Sequence, residues 1–321
     1  MQATSPEEGV TNATAFGLDV RSRIELPFLE GARTQPSGRV LDVSAGHNDA
    51  AALAWRGSVE PLCDQRDVQG EVVLRIEAHP REGYLLWGAG HGAYLLDAGG
   101  RRLRCDVREC RPEAWQRLLV AQALPFAALL QGLEALHASA VGWEGGAVAL
   151  NGPSGAGKTS VALELCRLGA CFLADDVVAL EPRDGELLAH PGTPLAGLDR
   201  GEAERLERAG RAHAYDVIAT NPRERLLRVT PLDRPLPLVA LFLLERSDRD
   251  CQEPSFEALD SARSLLASSF NFVLDQPERL RGLLDTCALA ACCRVERVLC
   301  GPGVDATDVA QAIARRLLSS P

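Results

Sequence analysis

"LHASAVGWEGGAVALNGPSGAGKTSVALELCRLGACFLADDVVAL", residues 136–180, decides how this chain is read. Within it Gly152 and Gly157 enclose four residues before Lys158-Thr159, the pattern GxxxxGK[ST]. Glycines let a backbone turn sharply enough for successive N–H groups to point at phosphate oxygens, and a following helix adds the positive end of its dipole. The flanking residues predict that context. A strand is expected over 138–143, a three-residue turn at Glu144-Gly145-Gly146 and a strand over 147–151. After the loop come a helix from about 158 to 168 stopped by Gly169, a strand over 171–174 and another after Asp176. The expected nucleotide-binding set is Gly152, Pro153, Ser154, Gly155, Ala156, Gly157, Lys158, Thr159 and Ser160. Lys158 would reach the outer phosphates of ATP or GTP, and Thr159 would ligate Mg²⁺.

Lys158 is the only lysine of the chain, whose other basic side chains are all arginines. On a solvated surface the two residues exchange at little cost. In a phosphate cradle a compact ammonium and a wide planar fork occupy different volumes and donate differently.

Seventeen residues beyond Lys158 stands the pair Asp175-Asp176, directly after an apolar strand. A carboxylate at a strand end beside such a loop is placed to hold Mg²⁺, and a second one to accept a proton from an attacking hydroxyl. The same pair also reads as a turn after a strand. If the strands over 138–143 and 147–151 pair antiparallel, His137 lies across from the loop end, near Asp175. That hairpin separates the chain from nucleotide switches and motor ATPases, which feed the loop from a parallel sheet.

Composition bounds the alternatives. The 321 residues suit two domains, 46% hydrophobic residues can build a substantial core, and 24% charged residues are ordinary. A net charge of −10 argues against a general nucleic-acid or anionic-membrane binder. The start "MQATSPEEGVTNATAFG" lacks the basic and apolar regions of a secretory signal and reads as a disordered polar tail over 1–20. The stretch "LLVAQALPFAALLQGLEAL", 118–136, is interrupted by Gln122, Pro125, Gln131 and Glu134, so it reads as a kinked buried helix rather than a membrane span. Ten scattered cysteines without a CxxC pair suggest reduced, buried thiols in a cytoplasmic protein.

Residues 21–111 read as a β-rich domain, with a hairpin signal at "DAGG" and a turn at "GAGHG", 88–92. His47, His79 and His91 within it read as structural or solvated. A linking helix is expected over 112–136, then a nucleotide-binding domain over 137–321. In that domain "LPLVALFLLER" reads as a strand buried on both faces and 198–213 as a solvated helix. Pro277 opens a helix, and Asp305 caps the last one.

Taken together, "LHASAV", "GPSGAGKTSVALEL" and "RLGACFLADDVVAL" resemble the C-terminal catalytic domain of HPr kinase/phosphorylase and its HPr-kinase-like relatives. The resemblance implies an α/β fold with a P-loop kinase core of the HPr kinase/phosphoenolpyruvate carboxykinase type and a mixed sheet. It implies that Lys158 and Thr159 bind phosphates and Mg²⁺, that Asp175 is the base and Asp176 the metal-linked carboxylate, and that His137 lies beside them. Arg223 or Arg225 of "NPRERLLRV", 221–229, falls where such relatives carry a basic residue near the transferred phosphate, a role read equally as that of a surface arginine. The downstream glycine-rich signature of the true HPr enzymes is not found. The chain therefore looks more like relatives encoded beside peptide-modification pathways, some of which phosphorylate serine on a precursor peptide.

The expectation is a Mg²⁺-dependent kinase acting on a serine or other hydroxyl of a peptide or small protein, with a homo-oligomer left open. Two alternatives stand beside it: a kinase of an amino acid or other metabolite, and a nucleotide-gated binding module without transfer.

Overall fold

The computed structural model describes residues 11–32, 35–46, 59–107, 110–208, 215–248, 252–259, 269 and 276–319. The chain divides between Gln131 and Gly132 into two compact units. His47 and Cys251 lie outside the described residues, as does the end of the helix expected over 198–213.

The N-terminal unit is built on strands β1 (Thr11–Ala15), β2 (Leu18–Ser22), β3 (Val40–Ala45), β4 (Glu60–Arg66), β5 (Val72–His79), β6 (Gly83–Gly88), β7 (Gly92–Leu96) and β8 (Arg102–Asp106). They form one sheet in the order β1-β2-β3-β8-β7-β6-β5-β4. The tail expected over 1–20 is corrected from Thr11 onward, because β1 and β2 pair across a tight turn in which Phe16 and Gly17 both have positive φ, 56° and 71°. Such turns match strand twist but usually advertise themselves with Asn-Gly or Asp-Gly, and a phenylalanine in that place carries no turn signal. Burial of Phe16, Leu18 and Val20 holds the hairpin. "DAGG" and "GAGHG" are turns as expected: Asp97 accepts from the backbone N–H groups of Arg101 and Arg102, and Gly88 and Gly92 close β6 onto β7.

The helix expected over 112–136 is three pieces and a strand. Helix α1 (Pro112–Leu118) passes through a π-helical turn, Leu119–Ala123, into α2 (Leu124–Leu130). A π turn absorbs the backbone mismatch around Pro125, which has no N–H to donate. Gly132, at φ 92°, then ends the helical run, and Glu134–Leu136 forms strand β9 instead. No described helix is long and apolar enough to cross a membrane.

The C-terminal unit contains β10 (Ala138–Trp143), β11 (Gly146–Asn151), α3 (Lys158–Arg167), β12 (Cys171–Ala174), β13 (Val178–Arg183), β14 (Glu186–His190), β15 (Leu195–Asp199) and α4 (Arg200–Arg208). There follow β16 (Asp216–Thr220), β17 (Glu224–Arg228), β18 (Leu236–Arg246), β19 (Ser255–Ala258), α5 (Pro277–Ala290), β20 (Arg294–Cys300) and α6 (Ala306–Leu318). The fold is mixed α/β. The main sheet runs β12-β10-β11-β18-β14-β13-β9, with β20 beside β18 and β19 beside β20. β11, β18 and β20 are parallel, while β10 is antiparallel to both β11 and β12. The β10–β11 turn needs two residues, Glu144 and Gly145, both at positive φ, so β11 begins at Gly146 rather than 147.

Period-two alternation along β11 builds a core on each face. Ala147 and Ala149 join Leu136, Leu173 and Leu241 under α5, whereas Val148 and Leu150 join Val161, Leu165, Phe242 and Ile313 under α3 and α6. On β18 the pairing with β11 slips between Leu238 and Ala240. The extra residue, Val239, is 44% exposed, and the slip keeps Leu238 in one core and Ala240 in the other. Asp305 caps α6 as expected, accepting from Thr307 and Asp308 while the Asp308 carboxylate accepts from the Asp305 N–H. A separate antiparallel sheet, β15-β17-β16, completes the unit. The nine described cysteines are free thiols, but only Cys105 and Cys300 are buried, and Cys171 and Cys292 are exposed.

Candidate phosphate-binding site

The glycine-rich loop leaves the end of β11 and enters α3 at Lys158. Gly152 has φ 145°, and a Cβ on it would stand 2.5 Å from the Leu244 carbonyl oxygen of the neighbouring strand, so any side chain is excluded. Gly157 caps α3 in the left-handed region, at φ 95°. The first N–H groups of α3, which have no partner within the helix, thus face the loop they follow.

Lys158 is 8% exposed. Its Nζ donates to the carbonyls of Gly152 at 2.9 Å and Pro153 at 3.2 Å, and lies 3.3 Å from Nε2 of His137. Burial pulls its pKa below the ordinary lysine range, against the upward pull of Asp175 and Asp176. His137 Nδ1 lies 2.9 Å from the backbone carbonyl of Asp176 and 3.3 Å from its Oδ1. A carbonyl only accepts, so Nδ1 carries the proton and Nε2 receives the ammonium. The register Ala138↔Asn151 sets His137 across from the loop, where the sequence put it, but its contact is with Asp176 rather than Asp175.

The two aspartates occupy opposite environments. Asp175, 7% exposed, accepts three hydrogen bonds: Ser139 Oγ at 2.5 Å and Thr159 Oγ1 at 2.8 Å on Oδ1, and the Gly197 N–H at 2.9 Å on Oδ2. Burial pushes its carboxyl above the usual range, against the lowering effect of the Ser139, Gly197 and Thr159 donors. Asp176 keeps a side chain 32% exposed. Its φ of 68° and the 2.8 Å bond from the Val177 N–H to the Asp175 carbonyl make a strained γ-turn centred on it.

Residues from distant segments complete the site. Ser139 is fully buried, and its one sequence signal is a polar residue among the inward-facing apolar residues of "HASAV". Gly197 comes from the separate sheet and has no local signal; a Cβ on it would stand 2.8 Å from Oε2 of Glu224. Arg225 lies on β17 in register with Leu198 of β15, one strand from the network, and Arg223 lies in the turn before it. Arg246, at the end of β18, brings its Nη2 within 3.5 Å of where a Gly157 Cβ would be.

Among the described residues no three His, Cys, Asp or Glu side chains cluster to cage a cation. The donor set is instead one hydroxyl, Thr159, whose hydrogen points to Asp175 and whose lone pairs point away from it. That arrangement fits a hard cation arriving with phosphate oxygens and keeping several waters.

The C-terminal unit is thus a mixed α/β unit in which a strand, a glycine loop and a helix converge on two carboxylates, a lysine and a histidine. No family model matches the chain, and no curated protein does. Among solved structures, 77 chains match. The chain is similar to one described as the structure of the Hpr(Ser) kinase/phosphatase from Coxiella burnetii, at 12% identity, over 58% of this chain and 99% of that one, with a TM-score of 0.30.

Proposed function

We propose that the chain is a Mg²⁺-dependent phosphotransferase that moves the γ-phosphoryl group of ATP or GTP to a serine or other hydroxyl on a peptide or small protein. The observation that carries this reading is the chain of contacts from Lys158 to His137 and from His137 to Asp176, beside the bond from Thr159 to Asp175. A phosphate loop used only for binding needs neither a second carboxylate nor a histidine held at the lysine.

The loop N–H groups and Lys158 hold the phosphates, which requires the ammonium to exchange its contacts with Gly152 and Pro153 for phosphate oxygens. Thr159 would hold Mg²⁺, with Asp175 fixing the hydroxyl from behind. When bound, the cation supplies positive charge to the phosphate oxygens. The contacts favour a division of labour opposite to the expected one: Asp175 is spent on Thr159, Ser139 and Gly197, whereas Asp176 is the carboxylate a substrate hydroxyl can approach. In this reading Asp176 takes the hydroxyl proton, the acceptor oxygen bonds to phosphorus, and the bond to the bridging oxygen breaks to release the nucleoside diphosphate. Arg225, on the strand beside Gly197, and Arg246, beside Gly157, are guanidinium candidates for the charge that develops.

Incubation with γ-labelled ATP or GTP, Mg²⁺ and a panel of serine peptides and free amino acids tests the proposal. Label on a peptide supports it, and label on free amino acids alone redirects it to a metabolite kinase. Tight nucleotide binding with no transfer to any acceptor would leave a binding module.

A further inference from the structure

We propose that Ser139 is a positioning residue that sets the metal response of this site through Asp175. The inference rests on the phosphotransferase reading above. It starts from one oxygen, Asp175 Oδ1, that accepts from both Ser139 Oγ at 2.5 Å and Thr159 Oγ1 at 2.8 Å. A hydroxyl has a single hydrogen to donate. Thr159 turns its lone pairs toward the phosphate side only while that hydrogen is committed to Asp175. The commitment requires the carboxylate to stay in one rotamer.

Two donors pin that rotamer from different parts of the fold. The Gly197 N–H, delivered by β15, holds Oδ2, and Ser139, delivered by β10, holds Oδ1. Ser139 has no exposed surface and stands in register with Leu150 of β11, so its own position is fixed by the strand pair that supports the loop. A short hydroxyl–carboxylate bond of this kind is charge-assisted and about twice as strong as a neutral one. Ser139 makes no hydrogen bond to Lys158 or His137, and its donor goes to Asp175. Its influence on a ligand therefore passes through Asp175 and Thr159, and it is not a catalytic residue.

Partners of this sort, one bond removed from a metal ligand, change metal affinity by about 10- to 100-fold when removed. The test uses the full chain and a fluorescent ATP analogue, titrated with and without Mg²⁺, for wild type, Ser139→Ala and Ser139→Cys. Alanine deletes one atom and adds no volume, and cysteine keeps a donor at the same place, weaker and on a larger atom. Ser139→Ala is expected to raise the Mg²⁺ concentration for half-maximal effect by about 10- to 100-fold, with metal-free affinity within about twofold of wild type. Ser139→Cys should fall between the two. An unmoved Mg²⁺ response in Ser139→Ala overturns the inference, and so does an equal loss of metal-free and metal-bound affinity, the mark of a structural role. A wild type whose nucleotide binding ignores Mg²⁺ overturns both the inference and the reading beneath it.

Discussion

The buried and the exposed sides of the site hold the same residue type, adjacent in sequence, in opposite environments. Asp175 sits among three donors drawn from β10, α3 and β15. Asp176 stands one residue on, in a strained turn, with about a third of its side chain open to solvent and His137 beside it. A carboxylate fixed by several hydrogen bonds is a rigid part of the scaffold, whereas one that meets water can meet a substrate. The peptide plane between them, not their chemistry, sets the two carboxylates apart.

Four substitutions would break or sharpen that contrast. On the exposed side, Asp176→Asn should lower phosphoryl transfer by about 10²- to 10⁴-fold while leaving nucleotide affinity near wild type, because asparagine tolerates the left-handed backbone but accepts no proton. A γ-phosphate transfer assay beside a binding titration reads both quantities. Lys158→Arg comes next, with an expected loss of about 10²- to 10³-fold in the same assay. The planar fork is wider than the compact ammonium and does not fit the buried position of Nζ beside His137, from which the ammonium would turn to the phosphates. A fully active variant would make the solitary lysine an accident of composition.

On the buried side, Asp175→Asn acts through stability as well as metal response. Its amide oxygen can still accept from Ser139 and Thr159, but the NH₂ group then faces the Gly197 N–H, donor against donor. Chemical denaturation should show a loss of about 1–3 kcal/mol, which Asp176→Asn does not share.

The smallest effect lies behind the site. Glu134, on β9 just before His137, is buried against Arg279 of α5 at 2.9 Å, and burial outweighs the guanidinium, pushing its pKa from 4.5 up to about 7. A carboxyl raised in the folded state contributes stability that is present below 4.5 and lost as pH rises through 7. The melting temperature of wild type should therefore fall between about pH 5 and pH 8 by more than that of Glu134→Gln, the difference being roughly 2–4 °C for each kcal/mol of linkage. Equal slopes would show that the Arg279 pair keeps Glu134 ionised throughout.

The legible parts of this molecule are those whose cause is local. The spacing from Gly152 to Thr159, the short strand before the loop, the apolar run Leu236–Arg246 and the Asp305 cap each specify their geometry within a few residues, and each is where the pattern put it. The illegible parts have distant causes. Phe16 takes a left-handed turn in a hairpin held by the burial of Phe16, Leu18 and Val20, and beyond the break at Gly132 residues 134–136 become a strand because β9 pairs with β13. Which of Asp175 and Asp176 is buried could not be read from residue type, since both are aspartates after a strand.

The sequence by itself therefore determined the loop, the strand and helix that flank it, the hairpin that feeds it and the acidic pair that follows. These depend on turn chemistry and periodicity, which act over a few residues. Only the tertiary structure decided which aspartate is buried, that Ser139 and Gly197 hold it, and that His137 meets Lys158 and Asp176. Those contacts join residues 16 to 39 positions apart, and a hydrogen bond across such a separation is set by how the strands pack.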